Sequence, residues 1–91
     1  MLNATNWKEL KKQLRQMQGK AAFKLERVNS VEDGTFYRIL HQVKPHELVF
    51  FDGKQLVYLP VGTKTESEIE YFENGFRIKN CTYTLDRIME V

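Results

Sequence analysis

Residues 68–81 encode a β-hairpin more clearly than any other segment of the chain. Their sequence is EIEYFENGFRIKNC. Apolar and polar side chains alternate on both sides of Asn74-Gly75, a dipeptide that favours a two-residue type I′ turn. That turn sets three cross-strand pairs, an apolar pair, an ion pair and a cation–π pair: Tyr71 with Ile78, Glu70 with Lys79, and Phe72 with Arg77. The segment therefore predicts two antiparallel strands.

A second hairpin is predicted over residues 48–59, around Asp52-Gly53. A two-residue turn here sets two apolar pairs on opposite faces: Val49 with Leu56, and Leu48 with Val57. A strand pair that is buried on both faces belongs in the middle of a sheet. We therefore place this hairpin centrally.

Two more strands are predicted upstream of these hairpins. Side chains alternate from Lys20 onward, and a second strand runs from about Thr35 to Val43, with Phe36 and Tyr37 expected to face the core. We favour a register that places Leu25 opposite Ile39 and Glu26 opposite Arg38, because sliding it by two residues would set Lys24 against Arg38. The tail, residues 82–91, fits either a strand or a short helix, and we favour the strand.

The chain opens with an amphipathic helix, predicted over about residues 6–18. One helical face carries its apolar residues: Trp7, Leu10, Leu14 and Met17. Asn6 followed by Glu9 is typical of an N-cap, with Thr5 as the alternative cap, and Gly19 is a left-handed stop. So short a helix is marginal alone in water, so its apolar face must rest on the strands.

These elements predict a single α+β domain over residues 1–91. An N-terminal helix packs on a twisted antiparallel β-meander of about six strands, over about residues 20–91; as an alternative, the meander is partly closed into a barrel. The chain has 91 residues, which is the size of one domain. It has no apolar run typical of a signal peptide or a membrane span, so we expect a cytoplasmic protein and no membrane partner.

The charges are unevenly distributed along the chain. Residues 1–45 hold nine basic and four acidic side chains, whereas residues 46–91 hold five and eight. Four basic residues share one flank of the helix, beside its apolar face, and are the candidate residues for binding a partner or nucleic acid: Lys8, Lys11, Lys12 and Arg15. The plainer interpretation is a solvated helix face, and the net charge of +2 is low for a dedicated nucleic-acid-binding domain.

Motifs for catalysis, metal binding or cofactor binding are not evident. Glu66, Glu68 and Glu70 are expected on the solvated face of one strand. His41 and His46 lack the further ligands that zinc requires, and Cys81 fits a small apolar position better than a nucleophile. We therefore predict no catalytic residues, no metal and no cofactor.

Three functional classes remain. The first is a non-enzymatic module that binds another protein, or a second copy of itself, through an open sheet edge or an apolar patch beside the helix. The alternative is a nucleic-acid-binding protein that uses the basic helix flank. A second alternative is a small-ligand-binding domain with a pocket between helix and sheet.

Overall fold

We describe residues 2–27 and 36–89 of a computed structural model of the chain. These residues form two helices and seven strands, which confirms the predicted α+β fold; a short second helix and one strand beyond the expected six or so are additional. In chain order they are α1 (Trp7–Gln16), β1 (Ala21–Arg27), β2 (Phe36–Lys44), β3 (Glu47–Phe51), β4 (Leu56–Pro60), α2 (Thr63–Ser67), β5 (Glu70–Phe72), β6 (Gly75–Ile78) and β7 (Cys81–Ile88). Within the described ranges, neither helix is long and apolar enough to cross a membrane.

All seven strands belong to one antiparallel sheet, in the order β4-β3-β2-β1-β7-β6-β5. The chain winds outward from β1 to β4, crosses through α2, and returns so that β7 pairs with the other side of β1. The described part of the C-terminal tail is therefore a strand as far as Ile88, as predicted, and it lies beside β1, the central strand of the sheet. In the described part of the chain the sheet is open, with β4 and β5 as its edges.

The sheet is strongly curved. The rings of Phe50 on β3 and Tyr83 on β7 stack with centroids 5.3 Å apart, although β2 and β1 separate those strands. A flat sheet would keep them about 14 Å apart, since neighbouring strands are spaced by about 4.8 Å. The core lies in the concave face, where Phe23 contacts the rings of Phe50 and Phe76 edge-on, with each pair of centroids 6.0 Å apart.

Helix α1 packs on the sheet as its apolar spacing predicts, with Trp7, Leu10, Leu14 and Met17 all buried. The Asn6 side chain accepts a hydrogen bond from the Glu9 N–H (2.9 Å), which confirms the predicted cap. Gly19, the predicted left-handed stop, follows α1 with a φ of +80°.

The helix and the segment before it are anchored at one end of the sheet. The Asn74 N–H, in the β5–β6 turn, donates to the Leu2 carbonyl (2.8 Å). Trp7 Nε1 donates to the Pro45 carbonyl, in the β2–β3 turn (3.3 Å). These contacts hold α1 across that end and leave the opposite end of the concave face uncovered by it.

The predicted registers of the two later hairpins are each wrong by two residues. Around Asp52 the loop has four residues, because the carboxylate accepts hydrogen bonds from the N–H groups of Lys54 and Gln55 (2.8 Å each). The loop at Asn74 is Glu73-Asn74, with Gly75 already in β6. The observed pairs are Val49 with Tyr58, Leu48 with Leu59, Tyr71 with Phe76, Glu70 with Arg77, and Phe72 with Gly75.

The predicted β1–β2 register is also wrong. Leu25 lies opposite Phe36, and Ile39 lies opposite Ala22. The prediction used one pair of opposite charges, whereas both strands are also held on their far sides, β1 by β7 and β2 by β3. Phe36 and Tyr37 are exposed and do not fill the core as expected.

Two other predictions are wrong, one about the three glutamates near α2 and one about the position of the β3–β4 hairpin. Glu66, Glu68 and Glu70 do not share a strand, because Glu66 lies in α2, Glu68 caps it and only Glu70 lies in a strand. The β3–β4 pair is not central, since β4 is an edge strand, although β3 is buried on both faces.

Candidate interaction surfaces

The basic flank of α1, defined as Lys8, Lys11, Lys12 and Arg15, lies at the surface as its position on the helix predicts. Lys11 is half-buried, and the other three side chains are exposed. Lys11 Nζ donates to the Pro45 carbonyl (3.3 Å) and lies 5.4 Å from the centroid of the Trp7 ring. None of the four forms an ion pair with any residue in the described ranges.

A groove of about 560 Å³ follows this flank. The basic flank lines it together with Trp7, His46 and Glu66. Glu66 is thus the acidic member of an otherwise basic or neutral lining. The groove suits an anionic chain better than a cationic one.

The convex face of the sheet carries exposed apolar side chains near one edge. We call Tyr37, Phe51, Leu56 and Tyr58 the outer patch; their exposed fractions are 57%, 36%, 39% and 55%. Phe51 lies directly opposite Leu56, and Tyr58 lies opposite Val49, so these side chains share the face that points away from Phe50. Lys44 Nζ lies 5.7 Å from the centroid of the Tyr58 ring.

The outer patch borders the free edge of β4. No strand in the described part of the chain pairs with the far side of β4. Its sequence is Leu-Val-Tyr-Leu-Pro, without a charged residue. Natural edge strands usually discourage pairing with charges, proline, bulges or short length, and β4 carries one of these devices, Pro60 at its last position.

The opposite edge, β5, has such protection. It has three residues, and Glu70 in it pairs with Arg77 on β6 (2.7 Å). The Arg77 guanidinium carbon also lies 5.2 Å from the Phe72 ring centroid, so the predicted cation–π contact is confirmed. The two edges therefore differ in their readiness to accept another strand.

A second groove, of about 450 Å³, crosses the convex face beside the outer patch. Ala22 lies in it, between apolar walls that include Ile39 and Met89. Charged side chains also line it: Arg38, Asp52, Asp86 and Arg87. This groove lies outside the contact between α1 and the sheet, where Leu10 and Leu14 are fully buried.

The uncovered end of the concave face holds a smaller cavity of about 150 Å³, lined in part by Arg38, Lys79, Cys81 and Tyr83. Burial is the main cause that raises the pKa values of the Cys81 thiol and the Tyr83 phenol. A raised pKa keeps Cys81 in its protonated, weakly nucleophilic form. This arrangement does not activate a nucleophile.

Metal-binding chemistry has no visible centre in the described ranges, which contain no cluster of three or more His, Cys, Asp or Glu side chains that could hold an ion. His41 and His46 are both exposed, and His46 lies at the groove beside the basic flank.

The sequence located the basic flank but not the outer patch, because Leu56 and Tyr58 were assigned to a central, buried strand. One signal pointed to the edge. Pro60 has no N–H to donate, so a strand that contains proline is usually an edge strand. Comparison with family models, with curated proteins and with solved structures found no match to this chain, so the candidate site rests on the geometry of its own residues.

Proposed function

We propose that the chain is a non-enzymatic, cytoplasmic binding module that docks a protein partner on β4 and the outer patch. The observation that carries this proposal is the free edge of β4, which is five residues long and uncharged. Exposed Leu56 and Tyr58 stand on that edge. A partner strand would gain main-chain hydrogen bonds from the edge and apolar contacts from the outer patch.

The backbone of β4 is arranged for such pairing. Asp52 N–H donates to the Gln55 carbonyl (3.1 Å), and Val61 N–H donates to the His46 carbonyl (2.8 Å). Hydrogen-bonded pairs alternate along antiparallel strands, so Val57 and Leu59 direct their backbone groups to β3. The backbone groups of Leu56, Tyr58 and Pro60 consequently point away from β3. All three residues direct a carbonyl outward, and Leu56 and Tyr58 also direct an N–H group outward.

The test compares two matched aromatic substitutions on the two edges. Tyr58→Glu places a charge on β4, and Phe72→Glu does so on β5, where the side chain is similarly exposed (41%). We expect proteins captured from a native lysate at high salt to be lost with Tyr58→Glu and kept with Phe72→Glu. Equal capture by wild type and both variants would overturn the proposal, provided that the variants retain the wild-type circular dichroism spectrum.

A second candidate function, nucleic-acid binding by the basic flank, is favoured by one observation: within the described ranges its four cations have no acidic partner. Phosphate oxygens could take that place along the groove that holds His46. Such binding would release counterions, and its affinity would fall steeply between about 50 and 200 mM salt.

This second candidate is tested with a double charge reversal. Lys8→Glu/Lys12→Glu changes the exposed flank and spares Lys11, which contacts Trp7. Lys54→Glu/Lys79→Glu makes the same change in net charge at two exposed positions in the β3–β4 and β6–β7 loops, at the opposite end of the sheet. We expect only the first pair to abolish binding to single- and double-stranded oligonucleotides, and equal losses from both pairs would contradict a specific role for the flank.

A further inference from the structure

We infer that the occupant of the β4 edge is a second copy of this chain, paired antiparallel across a two-fold axis at Tyr58. The inference rests on the proposed function, because it identifies the partner of the same edge. It joins two seven-stranded sheets into one continuous sheet. Its basis is the self-complementarity of β4.

The backbone groups of β4 match their own copy in this arrangement. Tyr58 has both its N–H and its carbonyl directed outward, so the two Tyr58 residues exchange both hydrogen bonds as a directly opposed pair. Leu56 N–H then faces the second copy's Pro60 carbonyl. Pro60 has no N–H, so the Leu56 carbonyl accepts no hydrogen bond from it and the ladder ends at this pair.

The side chains select the same register. Centring the axis on Tyr58 sets only apolar pairs between the copies: Tyr58 with Tyr58, Leu56 with Pro60, and Val57 with Leu59. Shifting the centre by one residue, to Val57, would instead set Leu59 opposite Gln55 and Pro60 opposite Lys54. The apolar match along β4 therefore favours Tyr58 over Val57, and Leu59, which is also an apolar centre, directs its backbone groups to β3.

The flanking charges also agree with this register. Antiparallel pairing brings the β3–β4 loop of one copy beside the start of α2 in the other. That loop carries Asp52 and α2 carries Lys64, both with exposed side chains, so opposite charges lie on the two segments that approach each other. Tyr58 is the one position at which each copy faces itself, which makes it the residue to test.

The test uses opposite charges at this self-facing position. We expect wild-type protein to dimerise in sedimentation equilibrium with a micromolar dissociation constant, since a single short strand pair forms a small interface. Tyr58→Lys and Tyr58→Glu should each weaken dimerisation by more than about tenfold, because like charges then face each other across the axis. An equimolar mixture of the two variants should restore the dimer, while Phe72→Lys, the control, should dimerise as wild type does.

Several results would overturn self-pairing. They are a monomeric wild type at millimolar concentration, two charged variants that still dimerise as wild type does, or a mixture that stays monomeric. A monomeric wild type whose lysate partners are nevertheless lost with Tyr58→Glu would leave the proposed function standing with a different occupant. A monomeric wild type without any β4-dependent partner would overturn both.

Discussion

The backbones of β6 and β7 approach so closely at Gly75 that they leave no room for a side chain. A Cβ atom added there would lie 2.6 Å from the carbonyl oxygen of Tyr83. We expect Gly75→Ala to lower the free energy of unfolding by about 1–3 kcal/mol, the usual cost of overpacking. Gly62→Ala is the control, because nothing lies within 4 Å of its added Cβ, and its effect should stay within about 0.5 kcal/mol. Urea unfolding measures both, and equal shifts would contradict the steric argument.

We expect Tyr83 to make the protein less stable at alkaline pH. Its ring stacks between Phe50 and Phe76, and burial is the first cause that raises its pKa well above the usual value. The unfolded chain therefore loses the phenol proton near pH 10 while the folded chain keeps it. Stability from this residue is complete below that pH and falls above it, by up to about 1.4 kcal/mol per pH unit.

The measurement for Tyr83 is urea unfolding between about pH 9 and pH 11, the range around the phenol pKa of the unfolded chain. Tyr83→Phe should lose less stability over this range than wild type. Tyr37→Phe, which removes an exposed phenol, should follow wild type. A Tyr83→Phe variant with the wild-type pH dependence would show that this residue is not the cause.

At the level of single elements, the β6–β7 turn contains one residue, Lys79, that its backbone conformation does not favour. Lys79 and Asn80 have φ values of +50° and +63°, which fit a two-residue type I′ turn. Lysine is costly at positive φ, whereas asparagine tolerates it. Lys79→Asn should therefore be more stable than Lys79→Gln by about 0.5–1 kcal/mol, since both remove the same charge. Equal urea midpoints for the two variants would contradict this reading of the turn.

Local sequence patterns locate α1 and the hairpins but do not fix the strand registers. The spacing of apolar residues located α1, and the Asn6 cap confirmed its start. The hairpins were also recognised, but their registers depend on non-local contacts. Asn74-Gly75 predicts a turn on its own, yet Gly75 is taken into β6 against the backbone of Tyr83. Only the pairing with β7 explains that shift.

At the scale of the whole molecule, strand order decides which surfaces are exposed. The basic flank could be predicted because a single helix defines it. The outer patch depends on tertiary structure, because it combines Tyr37 of β2, Phe51 of β3 and Tyr58 of β4, and β4 lies at an edge because β7 returns to β1. Pro60 is the local signal of that edge. A strand pairing that joins the two ends of the chain leaves little trace in any short window of sequence.

This pairing of chain ends predicts how the molecule opens. β1 is bonded on both sides, by β2 and β7, and it carries Phe23 at the centre of the core. Its amides should exchange with solvent only on global unfolding, whereas amides of the edge strand β5 should exchange through local opening. Hydrogen exchange followed by NMR in increasing urea tests this. From the lowest urea concentrations, the exchange rates of the β1 amides should rise with urea as steeply as global unfolding does, whereas those of the β5 amides should not. If the β1 amides exchanged at low urea in the same way as the β5 amides, β1 would open without global unfolding. The part of the sheet from β4 to β1 and the part from β7 to β5 would then open as separate units, and the continuous sheet would not unfold cooperatively.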